Sequence, residues 1–308
     1  MFNMNSNSLP KITVAIVAYN AEKYIRKAIT SVVNQDYPGD IEILVLYDEG
    51  STDKTLQVIN EIQKESLPPR RSLVVFQHGH TSLFRARMYS LKNFTGDYVH
   101  LFDYDNMMPP DRISKVVNHI SKTGAGFLFS NAKIVDSNDQ DVGRFLVDLK
   151  DLNLLKLIGG NFVDVNTIVI SRSCAEKLWE RLNQLQHKYF DWVFEDWLLA
   201  LLAFKHCNVH YMDDTYILYR IHTDNLTASS NLYTVLFNHE RDLKTLLAFY
   251  FLEYENLNLV ERQQLQKAII LRSNVLDKSL LWSMNSRYMK LFHYSNGLLR
   301  KLITKIMS

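Results

Sequence analysis

Immediately after an apolar run at residues 98–102, the chain reads Asp103-Tyr104-Asp105-Asn106. Two carboxylates spaced i, i+2 at a strand tip can converge on one hard divalent cation, which prefers oxygen ligands. Holding both acids together without a cation would be costly, because each charge disfavours the other. The same pair also suits an ordinary turn. A second acidic pair, Glu195-Asp196, precedes a leucine-rich run. It suits a carboxylate that takes a proton, or a helix N-terminus favoured by the dipole. His222 suits either a metal ligand or a hydrogen-bonded histidine. His78 and His80 have no metal-ligand spacing and read as loop residues.

The elements that must position these groups follow a wound α/β pattern. Residues 12–18 are short, β-branched and apolar, as in a buried parallel strand. Residues 22–34 carry apolar side chains at helical spacing, and Pro38-Gly39 stops them before a second strand at 41–46. The turn Asp48-Glu49-Gly50-Ser51-Thr52-Asp53 leads into a helix at 54–64, with Ser51, Thr52 or Asp53 as its cap. A third strand at 73–76, a helix at 82–93 and a fourth strand at 98–102 complete the alternation. In such sheets ligands bind at the carboxyl ends of the strands. Beyond Asp103 the pattern predicts strands at 127–131, 165–170 and 216–220 and a helix at 196–206. From residue 231 it is almost wholly helical. The expected organisation is a catalytic domain at 1–230 and a helical C-terminal region at 231–308.

The chain has 308 residues, 47% hydrophobic and 22% charged, with a formal net charge of +2. That is enough for one sizeable α/β domain with a smaller appendage. The near-neutral balance excludes a nucleic-acid footprint, which needs massed basic residues. Two cysteines, Cys174 and Cys207, make neither a disulfide framework nor a zinc site, and are expected to be small apolar fillers in a reducing compartment. The first ten residues have no secretory pattern, and the longest apolar runs are too short to span a bilayer. A cytoplasmic protein is expected, peripheral at the inner face of the membrane if its tail binds there. In that tail, residues 298–307 mix apolar and cationic side chains at helical spacing, which suits an anionic membrane surface, the catalytic domain or a second subunit of a homodimer.

Taken in order, VAIVAYNAEKYIRKAITSVVNQDYP, DEGSTDKT, the Arg85-Ala86-Arg87 segment, FTGDYVHLFDYDN, Phe190-Asp191 with Glu195-Asp196-Trp197, and Tyr219-Arg220-Ile221-His222 resemble the family 2 glycosyltransferases. The resemblance spans residues 11–227 and implies a GT-A fold: a Rossmann-like wound mixed sheet flanked by helices. It implies an inverting, non-processive transferase, with a nucleotide-sugar donor, most simply a UDP-sugar, assisted by Mn²⁺ or Mg²⁺. The acceptor it implies is a glycan or lipid-linked glycan. Tyr19 then lies beside the base, Asp48 hydrogen-bonds the base edge, and Glu22 contacts the nucleoside. Arg87 faces the base or diphosphate, Asp103 orients the ribose or the metal's water shell, and Asp105 binds the metal. Asp196 is the catalytic base with Glu195 as its neighbour, and His222 closes the metal site. The chain departs from the family at Glu49, at Met88 and at His78-Gly79-His80-Thr81-Ser82, which bears on the nucleotide contacts.

Two other readings are open to the same residues. A nucleotidyltransferase needs a glycine-rich phosphate loop with a basic residue after the first strand, where this chain has Ala18-Tyr19-Asn20-Ala21. A non-catalytic sugar-nucleotide or glycan-binding module would not need Asp103, Asp105 and Asp196 intact.

Overall fold

The first strand, β1 (Ile12–Ala18), is buried along its whole length, as an apolar run covered on both faces must be. A computed structural model describes residues 9–147, 152–222 and 232–283. Strands β2 (Ile41–Asp48), β3 (Arg71–His78) and β4 (Tyr98–Asp103) join β1 in parallel, in the order β3-β2-β1-β4. Their crossovers are α1 (Ile25–Val33), α2 (Thr55–Lys64) and α3 (Leu83–Asn93). Because β1 is flanked by β2 on one side and β4 on the other, the chain reverses direction across the sheet there. The carboxyl ends of β1, β2 and β4 therefore border a crevice.

Beyond β4 the sheet becomes mixed. After α4 (Arg112–Thr123), the short β7 (Val169–Ser171) runs antiparallel to both β4 and β5 (Phe127–Val135). The hairpin strand β6 (Asp141–Phe145) extends one edge of β5, and β8 (Val209–Arg220) pairs parallel along the other. Helices α5 (Leu154–Gly159), α6 (Arg172–Leu182) and α7 (Glu195–His206) complete the part before residue 223. Alternate strand residues feed two cores. Ala15, Val17, Leu44 and Leu101 face α3, α6 and α7, whereas Val14, Ile16 and Val45 face α1, α2 and α4.

The helical region expected from residue 231 is the pair α8 (Leu232–Glu253) and α9 (Leu259–Ser283). Leu243, Leu246 and Phe249 of α8 lie in the same core as Trp197 and Leu198 of α7. The proposed domain boundary and the tail at 298–307 fall outside the described residues. No described helix is long and apolar enough to cross a membrane.

Two expectations are corrected. Residues 165–170 are not one strand: the Asp164 carboxylate accepts the Asn166 N–H at 2.9 Å and draws Val165–Thr167 into a 3-10 turn before β7. The cysteines are not separate fillers. Cys174 at the start of α6 and Cys207 at the end of α7 are disulfide-bonded, with Cα atoms 5.7 Å apart. A separation of 33 residues gave no hint of this, because packing α6 on α7 is what brings them together.

Candidate active site

At the end of β1, Asn20 adopts φ 48°, a left-handed conformation that Asn tolerates better than bulkier residues. Its Oδ1 accepts the Thr52 N–H at 2.8 Å, and its own N–H donates to Ser51 Oγ at 3.2 Å. This bends the chain out of the sheet and leaves Tyr19 42% exposed at the crevice rim. Asp48, at the tip of β2, is buried and accepts the Gly50 N–H at 2.8 Å. Both its oxygens lie 3.1 Å from His80 Nδ1, and the His80 ring is 5.2 Å from that of Tyr19. Tyr19, Asp48 and His80 thus form one flat-sided, hydrogen-bonding corner. His80, which the sequence assigned to a loop, is the missed member; no spacing could have revealed it.

Glu22 and Arg87 have partners other than those expected. The Glu22 carboxylate accepts the Lys54 N–H at 2.7 Å, while Asp53 accepts the Glu22 N–H at 3.0 Å, so the pair caps the start of α2. Arg87 is 1% exposed. Its guanidinium donates to the Phe102 carbonyl at 2.9 Å and to Asp103 Oδ1. Arg87 therefore holds an acid of the site from below and does not face open space.

The strand tip gathers the acids. Asp103 is gripped from both sides, with Oδ1 by Arg87 and Oδ2 by Asn166 Nδ2 at 2.9 Å. Asp105 meets His222 across 3.0 Å between Oδ2 and Nε2. Its backbone carbonyl accepts from Arg220 Nη1, and Asn106 Oδ1 accepts the Arg220 N–H at 2.9 Å, so β8 clamps the turn. Arg220 also pairs with Asp139. Burial raises the Asp105 pKa, and the charge of Asp103 adds to the shift. Asp164 is pushed up to about 7, first by burial and next by Asp103.

At the start of α7 two neighbouring acids have different fates. Glu195 is buried and faces Arg241 of α8, 3.4 Å from Oε2 to Nη2. Among the described residues Asp196 accepts only the Trp197 N–H, at 2.6 Å, and its carboxyl is pushed up to about 8, first by burial and then by Glu195 and Asp164. Solvent still reaches Asp164 and Asp196, which are partly exposed yet surrounded by protein, as expected at the floor of a cleft. Asp103, Asp105, Asp164 and Asp196 thus repel one another along a single wall, which makes the site receptive to positive charge.

Arg241 bears on stability. Substituting Met leaves Glu195 charged and buried, and should lower unfolding free energy by about 3–5 kcal/mol, as expected for breaking a buried pair. Chemical denaturation checks this, and the double variant Arg241→Met with Glu195→Leu should recover most of the loss.

Among the described residues no three His, Cys, Asp or Glu side chains close into a complete metal cage. Two carboxylates nonetheless fit a small hard cation, because Mg²⁺-like ions are usually held by one or two carboxylates with substrate phosphates and water completing the shell. Asp103 and Asp105 supply that pair, and His222 is placed as a hydrogen-bond partner of Asp105, with Nε2 3.0 Å from Oδ2.

Comparison with known proteins gives a consistent picture. The model of glycosyl transferase family 2 matches residues 13–190. An uncharacterised glycosyltransferase of Haemophilus influenzae is 28% identical over 181 residues, covering 59% of this chain and 69% of that relative. A second Haemophilus glycosyltransferase is 34% identical over 113 residues, and there the match spans only 33% of its length. The Escherichia coli protein WfgD, named a UDP-Glc:α-D-GlcNAc-diphosphoundecaprenol β-1,3-glucosyltransferase, is 24% identical over 73% of this chain and 82% of its own. Among solved structures, residues 1–349 of S. aureus TarS in complex with UDP-GlcNAc superpose with TM-score 0.57 at 18% identity, over 96% of this chain and 90% of that one. The mannosyltransferase PcManGT from Pyrobaculum calidifontis, in complex with GDP-Man and Mn²⁺, gives TM-score 0.54 at 15% identity, over 98% and 85%. At these identities the structural likeness establishes the GT-A fold.

Proposed function

The chain belongs to glycosyl transferase family 2, and from that premise we propose that it transfers a sugar from a UDP-sugar to a hydroxyl of a glycan or lipid-linked glycan, with inversion and with Mn²⁺ or Mg²⁺. The observation that carries this reading is the run of neighbouring acids Asp103, Asp105, Asp164 and Asp196, in which Asp196 forms no ion pair among the described residues while Arg241 pairs with Glu195 beside it.

Tyr19, Asp48 and His80 form the corner where the base fits: a ring to lie against and acceptors for its edge. Asp103 is held by Arg87 and Asn166, and Asp105 by His222 at its carboxylate and Arg220 at its backbone carbonyl, so both carboxylates are held in place. A divalent ion bound there would neutralise charge developing on the leaving diphosphate. Asp196, at the start of α7, takes the proton of the attacking hydroxyl. Glu195, tied to Arg241, acts as a positioning residue for Asp196 and touches no reacting atom. A single displacement from the face opposite the diphosphate inverts the anomeric centre. The names of WfgD and of the ligands bound in TarS and PcManGT support a nucleotide-sugar donor, and WfgD's also supports a lipid diphosphate acceptor. The basic tail at 298–307 would then meet the membrane carrying such an acceptor.

A thermal-shift panel tests the reading. With Mn²⁺ present, UDP-sugars should raise Tm, since a ligand at 100 Kd adds about 2.7 kcal/mol. The shift should shrink when EDTA replaces Mn²⁺. A panel of UDP-, GDP- and dTDP-sugars that leaves Tm unchanged would count against a nucleotide-sugar transferase.

A further inference from the structure

Past the acids, the sheet carries a second concavity that the donor reading leaves unused. Between β5, β6 and β8 lies a cleft of about 490 Å³, lined by Asn131, Phe145, Tyr211, Asp213, Thr215 and Tyr216. That volume is within the roughly 300–1,000 Å³ of small-molecule sites. It exists because β8 bulges against β5. The register steps from Ser130↔Met212 to Asn131↔Tyr216, and the extra residues 213–215 stand out from the ladder.

The cleft and the acids share one face of the sheet. Phe129 belongs to the core under α3, α6 and α7, and Asn131, two residues on, projects to the same side; Leu101 and Asp103 are related in the same way. The Arg112 guanidinium measures the proximity. It donates to Ser130 Oγ at 2.9 Å and to the Thr167 carbonyl at 2.8 Å, so the residues before Asn131 and after Asn166 are held by one group. Asn166 is the residue that grips Asp103.

The lining has a particular chemistry. Phe145, half-exposed, meets Tyr216 edge-on, at 6.0 Å and 77°. Two rings at right angles make a corner, not the parallel slot that a flat base requires. Thr215 is 4% exposed, and its hydroxyl has no partner among the described residues. That hydroxyl is sealed from solvent and offers the cleft no donor or acceptor. Asp213 beside it is exposed. A ligand with an apolar C–H face and a rim of hydroxyls matches this lining, and a pyranose ring has both.

We propose that this cleft is the acceptor subsite, holding a pyranose of the acceptor glycan against Phe145 and Tyr216 with its hydroxyls toward the Asp213 carboxylate. The assignment rests on the transferase reading, with the acceptor approaching Asp196 along the sheet face from the β8 side while the nucleotide occupies the β1–β2 side.

Methyl glycosides of glucose, galactose and N-acetylglucosamine serve as probes in saturation-transfer NMR, with Mn²⁺-UDP titrated separately by calorimetry. At least one glycoside should bind, and Phe145→Ala and Asp213→Ala should each weaken it about tenfold, equivalent to 1.4 kcal/mol. Both variants should bind UDP as the native chain does. Phe145 and Asp213 are both exposed, so each variant should fold with a Tm close to that of the native chain. Wild-type protein that binds none of the glycosides, or variants that bind them undiminished, would overturn the subsite. Glycoside binding without any nucleotide binding would instead overturn the transferase reading and leave a glycan site standing.

Discussion

Asp196→Asn should lower the rate of sugar transfer by about 10²–10⁴-fold, the usual contribution of a positioned general base, while donor affinity measured by calorimetry stays nearly unchanged. The amide has the shape of the acid and keeps an oxygen for the Trp197 N–H, so the start of α7 is preserved. Glu195 cannot substitute, because Arg241 holds it in the core. The pH dependence follows from the raised pKa. With Asp196 at about 8 in the free chain, its basic form is the minor one at neutral pH, so kcat/KM should climb between pH 6 and 9. The sign for stability is the opposite. A carboxyl that holds its proton more tightly when folded contributes stability present below the ordinary pKa near 3.8 and lost as pH rises through about 8. The Asn variant escapes that loss and should be more stable than the native chain at pH 9, though slower in transfer. A variant that turns over normally would remove Asp196 from the reaction.

Asp105→Ala should abolish the Mn²⁺ dependence of UDP binding and weaken binding in its presence by about 100-fold, since a metal clamp on a diphosphate is worth several kcal/mol. Misfolding is not the expected cause. The turn is held through the Asp105 backbone carbonyl and Asn106, both bonded to Arg220, and neither is altered. Removing one acid also relieves repulsion on Asp103 and Asp164. Circular dichroism should therefore be unchanged while the titration loses its metal term. Equal affinity with and without Mn²⁺ in the native chain would show that the strand-tip acids serve another purpose.

Chemistry expressed by adjacent residues was legible early. Two acids at i, i+2 after an apolar strand, a Tyr-Asn pair after another and an acidic turn after a third announce themselves by local order, because a strand's end fixes where the next few side chains can go. The same holds for β1, β2 and β4, whose apolar runs are buried on both faces, whereas β3 at the sheet edge is only partly buried. By contrast, β6 and α5 left no clear pattern. The strand is exposed along its whole length, and the helix has only 6 residues. An element that takes little of its stability from its own apolar face leaves little periodicity to read.

Partnership was what only the folded chain decided. Arg87, expected to face the base or the diphosphate, donates to Asp103, and Glu22, expected near the nucleoside, accepts the Lys54 N–H at the start of α2. Asp164, His80, Asn166 and Thr215 had no motif, yet each stands beside the acids, the base corner or the neighbouring cleft. The two cysteines, 33 residues apart, became a bond. In each case the deciding contact joins residues distant along the chain. Sequence order determines which groups a strand end can offer; burial and long-range packing determine which of them are neutralised and which are left to react.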